Sequence, residues 1–133
     1  MNHNANRAVF ELLIRMGVST RMSGFRYILD AVSLAADNSE DCQDYQNCLI
    51  DGIFPEIADK YHVSKAAVDV SIRHCVEDAY KKGDSALIDK TVGKSYAKNQ
   101  APRAPTAARF LSSLILRVQN DFLDEIDESE EQS

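Results

Sequence analysis

The stretch Phe54-Pro-Glu-Ile-Ala-Asp-Lys-Tyr-His-Val-Ser-Lys-Ala-Ala-Val-Asp-Val-Ser-Ile-Arg-His-Cys-Val-Glu-Asp-Ala-Tyr80 decides how this chain reads. Pro55 suits the first turn of a helix, and Ile57, Ala58 and Tyr61 then make a short inward stripe. Ser64 is a natural N-cap for a second helix, in which Val68, Ile72, Cys75, Val76 and Ala79 recur on one face. That helix should run to Lys81 and stop at Gly83. A small residue in the first helix (Ala58), a turn that Val63 would fill, and the anchors Val68 and Ile72 in the second meet the physical needs of a helix-turn-helix. A helical hairpin with no partner satisfies the same pattern.

Working outward, Val9, Phe10, Leu13 and Ile14 form the stripe of a helix from about Asn6 to Met16, ended by Gly17. A second helix follows Ser23-Gly24 and carries Tyr27, Ile28, Ala31, Val32, Leu34 and Ala35. The polar run Asp37 to Asp41 separates it from a third, starting near Gln43, with a break or kink expected between Asp51 and Pro55. Beyond Gly83, Asp84 or Ser85 can cap a short helix through Leu87, Ile88 and Val92. Gly93 to Pro105 reads as a basic loop, and Thr106 can cap a last helix bearing Phe110, Leu111, Leu114, Ile115 and Val118. No strand alternation or internal repeat is visible, so the expected fold is all-α: one compact domain of about six helices over residues 1–120, followed by an acidic tail over 121–133.

The chain of 133 residues is the size of one domain. Its start carries no signal pattern and no segment is apolar enough to span a bilayer, so a cytoplasmic protein without membrane contact is expected. The cysteines Cys42, Cys48 and Cys75 are an odd number without CxxC spacing, and His62 and His74 complete no zinc pattern. Neither a disulfide framework, a metal nor a cofactor is expected.

The net charge of −6 is uneven. Residues 55–110 hold ten Lys/Arg against seven Asp/Glu, a local +3, whereas 111–133 hold one Arg against seven acids, a local −6. A basic middle between acidic flanks is compatible with DNA. On the second helix of the motif, Lys65, Ala66, Asp69, Val70 and Arg73 face outward near the start, with His74 at the side. Arg73 can pair bidentately with guanine, Lys65 can meet a phosphate or base edge, and Asp69 can accept from cytosine N4. The alternative for Arg73 is an ion pair with Glu77 or Asp69. Arg21, Ser23, Lys94, Lys98 and Arg103 are the candidate phosphate contacts, joined by Arg26, Lys81 and Lys82. No nucleophile with its base, no phosphate-cradling Gly loop and no converging carboxylates are legible, so catalysis is not expected.

Several of these residues together carry a resemblance. Met16-Gly17-Val18, Gly24-Phe25-Arg26-Tyr27, Phe54-Pro55-Glu56-Ile57-Ala58-Asp59-Lys60-Tyr61, Ser71-Ile72-Arg73-His74, Lys82-Gly83-Asp84 and Pro105-Thr106 before Phe110 resemble the C-terminal DNA-binding effector domain of the sporulation-initiation master response regulators. The match spans about Val9 to Val118. It implies a compact helical domain that binds promoter boxes, often as a tandem pair or homodimer on double-stranded DNA, and contacts RNA polymerase. Such proteins usually carry a phosphoacceptor receiver ahead of this domain, whereas this sequence begins a few residues before the match, so control by a phosphorelay is not expected. Where the family presents Arg and Glu to bases, this sequence has Ala67, Asp69 and Val70, which puts the family's target box in question.

The sequence therefore reads as a sequence-specific DNA-binding transcriptional regulator without a receiver domain, not an enzyme. The alternative is a protein-interaction module that modulates a full-length homologous regulator or RNA polymerase without reading DNA. Composition makes the tail a disordered solubilising segment, with a cover for the basic face as its alternative.

Overall fold

A computed structural model of the protein describes residues 3–37, 49–93, 99, 101 and 103–117. The expected helix near Gln43, the thiols Cys42 and Cys48, the loop lysines Lys94 and Lys98, and the tail over 121–133 lie outside the described residues. Within them the regular structure is entirely helical: α1 (His3–Met16), α2 (Ser23–Asp37), a π-helical turn (Leu49–Ile53), α3 (Phe54–Tyr61), α4 (Lys65–Lys82), α5 (Ser85–Val92) and a last helix, α6, over 107–117.

The cap chemistry sets the boundaries as the sequence suggests. Ser64 Oγ accepts the Ala67 N–H at 3.0 Å, Asp84 Oδ1 that of Leu87 at 3.0 Å, and Thr106 Oγ1 that of Arg109 at 3.3 Å. Each satisfies one of the orphan donors of a helix start. Gly17 ends α1 at φ +88° with its N–H on the Ile14 carbonyl.

Two local expectations are corrected and a third is settled between its alternatives. Of the break or kink expected between Asp51 and Pro55 there is no break: a π-helical turn, an irregularity of the kind at which helices bend, leads directly into α3, whose first residue is Phe54. Pro55 lacks an N–H and its ring would strike the carbonyl four residues back, and a widened turn just before it absorbs that conflict while the chain stays helical. Phe10 and Ile14 are not inward; they are 43% and 46% exposed. On α1 the apolar residues form two rows, and the Val9, Leu13, Met16 row takes the core. Phe10 lies on the rim, edge-on to Phe25 with ring centroids 5.5 Å apart. Val63 does not fill the motif's turn but remains exposed; the backbone closes the turn instead, with the Val63 N–H on the Ala58 carbonyl at 2.9 Å.

The core forms where α1, α2, the motif helices and α6 converge, around Phe54, Ile57, Ile72, Phe110, Leu111 and Leu114. All five apolar residues of the α4 stripe, Val68, Ile72, Cys75, Val76 and Ala79, are fully buried. At roughly 1.5–3 kcal/mol for each large aliphatic side chain removed from water, this face anchors α4 far more strongly than any surface contact could. Two contacts between elements lock the frame, one through the backbone and one through side chains. The Asp84 N–H donates to the Met16 carbonyl at 2.9 Å, and a Cβ on Gly83 would stand only 2.3 Å from that same oxygen, so α1 and α4 meet there main chain to main chain. The Tyr80 hydroxyl donates to the Asp89 carboxylate at 3.0 Å and ties α4 to α5.

Candidate nucleic-acid interface

The interface begins with the turn between α3 and α4. His62 adopts the left-handed conformation, φ 57° and ψ 44°, and caps α3 with its N–H directed to Ala58 and Asp59 carbonyls. Ala58, 7% exposed, is small enough for α3 to approach α4, while Ile57 beneath it is buried. After Ser64 the chain re-enters a helix with its first turn turned to solvent.

On that turn Lys65 and Ala66 are exposed, Asp69 and Val70 are half-buried, and Arg73 and His74 are exposed. His74 therefore does not tuck in beside the buried Cys75. Lys65, Asp69, Arg73 and Glu77 succeed one another at four-residue steps, so their charges alternate along one line of the helix. Arg73 Nε lies 3.7 Å from Glu77 Oε1, with both side chains nearly half exposed. Such a surface pair contributes only about 0–1 kcal/mol, less than the roughly 1–3 kcal/mol of discrimination from a bidentate arginine on guanine. The pairing therefore holds Arg73 in place without withdrawing it.

The helix α2 braces both halves of the motif. At its start, a Cβ on Gly24 would fall 2.3 Å from the Ser71 carbonyl and 2.8 Å from Cys75 Sγ, so only glycine lets this end sit against the middle of α4. The Cys75 sulfur accepts from the backbone N–H groups of Phe25 and Gly24, but burial dominates and pushes its thiol up to about 11, leaving it protonated and unreactive at neutral pH. Farther along α2, Asp30 accepts a hydrogen bond from the Tyr61 hydroxyl and an ion pair from Lys60 at 3.5 Å. Burial, then the hydrogen bond to Asp30 and its negative charge, raise the Tyr61 hydroxyl to about 12. The Tyr27 ring packs on that of Tyr61 at 5.1 Å.

This bracing fixes the approach to α2 beside the exposed face of the motif. Arg21, Ser23 and Arg26 are all exposed there, and with Thr20, Tyr27 and Tyr61 they border a surface cleft of about 730 Å³. No acidic side chain lines it among the described residues, and neither arginine has an ion-pair partner among them. Sequence reasoning named Arg21, Ser23 and Arg26 among the phosphate contacts; the structure sets all three on the rim of one cleft. It missed Gly24 as a close-approach residue and the Asp30–Tyr61 contact, since both depend on pairings over thirty residues or more that periodicity does not encode. Arg103 is exposed on the segment before α6.

With this geometry in view, comparison with known families is decisive: the family described as Sporulation initiation factor Spo0A C terminal matches residues 9–118. The chain belongs to this family. It is thus a DNA-binding effector domain of the sporulation-factor type, concerned with transcription regulation, and the Spo0A match covers every described helix from Val9 onward. No helix among the described residues is long and apolar enough to cross a membrane.

Proposed function

We propose that this Spo0A-type domain is a sequence-specific regulator that seats α4 in the major groove of double-stranded DNA and acts in the cytoplasm, where the DNA is. The observation that carries the reading is the joint presentation of the exposed Lys65 and Arg73 of α4 and of Arg21 and Arg26, which have no ion-pair partner among the described residues, at the end of α2 that Gly24 seats against α4. Lys65, Ala66, Asp69, Val70, Arg73 and His74 form the reading face. Arg73 recognises guanine, Asp69 accepts from a cytosine amino group, and Ala66 and Val70 supply methyl surface for thymine. Arg21 and Ser23, with Arg26, bind phosphate on one flank, and Lys94, Lys98 and Arg103 supply further phosphate contacts. Tandem or dimeric binding on DNA and contact with RNA polymerase follow from the family and complete the proposal.

Binding measured by fluorescence anisotropy over a range of salt tests it. Five phosphates neutralised by Arg21, Arg26, Lys94, Lys98 and Arg103 give a log–log slope of about −4.5, or roughly a 500-fold loss of affinity between 50 and 200 mM salt. A slope near zero, or no binding to any duplex, would sink the reading. The exposed Phe10 and Ile14 favour a second reading, in which α1 docks on a full-length regulator or polymerase. Retained capture of such a partner by a protein that binds no duplex would select it.

A further inference from the structure

The cleft bordered by Arg21 and Arg26 gathers positive charge in an acidic protein. Two guanidinium groups stand at its rim without a carboxylate partner among the described residues, while the chain as a whole carries a net charge of −6. DNA phosphate is one anion that fits, and the chain itself supplies another. The segment Asp121-Phe-Leu-Asp-Glu-Ile-Asp-Glu-Ser-Glu-Glu131 holds seven carboxylates with Phe122, Leu123 and Ile126 set among them. The cleft answers both features, with arginines for the acids and the Tyr27 and Tyr61 rings for the apolar residues.

Ile126 is nine residues past Arg117, a span of up to about 30 Å, comparable to the width of roughly 36 Å expected for a domain of this length. Tethering raises the local concentration of such a segment to about 1 mM, so even a weak contact is occupied within the chain.

We propose that residues 121–131 seat in the Arg21/Arg26 cleft of their own chain and give it up to duplex DNA. The second half of that statement rests on the DNA reading above; the first does not. An intrinsic Kd of about 0.1 mM against that tethered concentration would weaken duplex binding about tenfold.

The chain has no tryptophan, so Ile126→Trp in the full-length protein places a single emitter in the tail. The proposal predicts blue-shifted emission. Arg21→Ala with Arg26→Ala should move it to the position of an exposed indole, and so should neutralising the tail with Asp124→Asn, Glu125→Gln, Asp127→Asn and Glu128→Gln, none of which lies in a described helix. Added duplex should cause the same red shift. Exposed-type emission in the Ile126→Trp protein alone would overturn the proposal, as would a blue shift indifferent to the two arginines. Duplex binding without release would also overturn it. A blue shift that depends on both arginines, in a protein that binds no duplex, would uphold the tail contact while the DNA reading fails.

Discussion

Arg73 sits in a contact weak enough to exchange. Its partner Glu77 is one turn away on the same helix and half exposed, so releasing the arginine to a base edge costs about 1 kcal/mol or less. Arg73→Ala should therefore leave the melting temperature nearly unchanged while lowering affinity for the preferred duplex by about 5- to 150-fold, the equivalent of roughly 1–3 kcal/mol. Thermal unfolding and anisotropy on the same preparation would check both halves. His62 is the opposite case, a residue whose side chain counts less than its backbone. It is the single non-glycine residue with positive φ among the described residues. Glycine adopts that conformation without penalty, so His62→Gly should stabilise the fold by about 0.5–1 kcal/mol, and His62→Val should destabilise it. Denaturant titration of the two variants reads the difference.

Between elements, the decisive contacts are those of α2. Gly24→Ala would drive a methyl group into the Ser71 carbonyl, and since backbone rather than a flexible side chain must yield, a loss of about 1–3 kcal/mol is expected in equilibrium unfolding. The Asp30–Tyr61 bond predicts a pH effect. The Tyr61 hydroxyl is raised from 10 to about 12 in the folded protein, so its contribution is fully present below pH 10 and is lost as pH climbs toward 12. Tyr61→Phe should flatten the fall in stability over that window relative to the parent protein, as followed by alkaline unfolding. The helices themselves were legible in the sequence because their caps are local: Ser64, Asp84 and Thr106 each act on an N–H three residues on. The stripe Val68 to Ala79 was legible because burial repeats with the helix. The π-helical turn before Pro55 was not, since proline announces a conflict without saying whether the chain breaks or widens. Nor did periodicity separate the buried Val9 row of α1 from the exposed Phe10 row, as both have helical spacing.

Across the whole molecule, charge distribution outweighs net charge. A protein at −6 presents a cleft with two arginines and, among the described residues, no acidic lining, and binding should respond to each phosphate contact separately. Arg21→Ala should weaken all duplexes alike and reduce the salt slope by about 1, in contrast to the sequence-dependent loss at Arg73. The candidate interface was legible in part: Lys65, Arg73 and His74 face solvent as their positions on α4 suggest, while Asp69 and Val70, expected outward, are half-buried. That Arg21, Ser23 and Arg26 border a cleft together with Tyr61 was not legible, for Tyr61 lies thirty-five residues beyond Arg26 and periodicity does not encode that pairing.

The central claim is that α4 reads bases. Selection from a randomised duplex pool by the full-length protein and by Arg73→Ala, in parallel at moderate salt, tests it most directly. The account predicts one enriched motif for the parent and, for the variant, the same motif with a guanine position relaxed. Identical motifs from both proteins, or no enrichment from the parent, would contradict it.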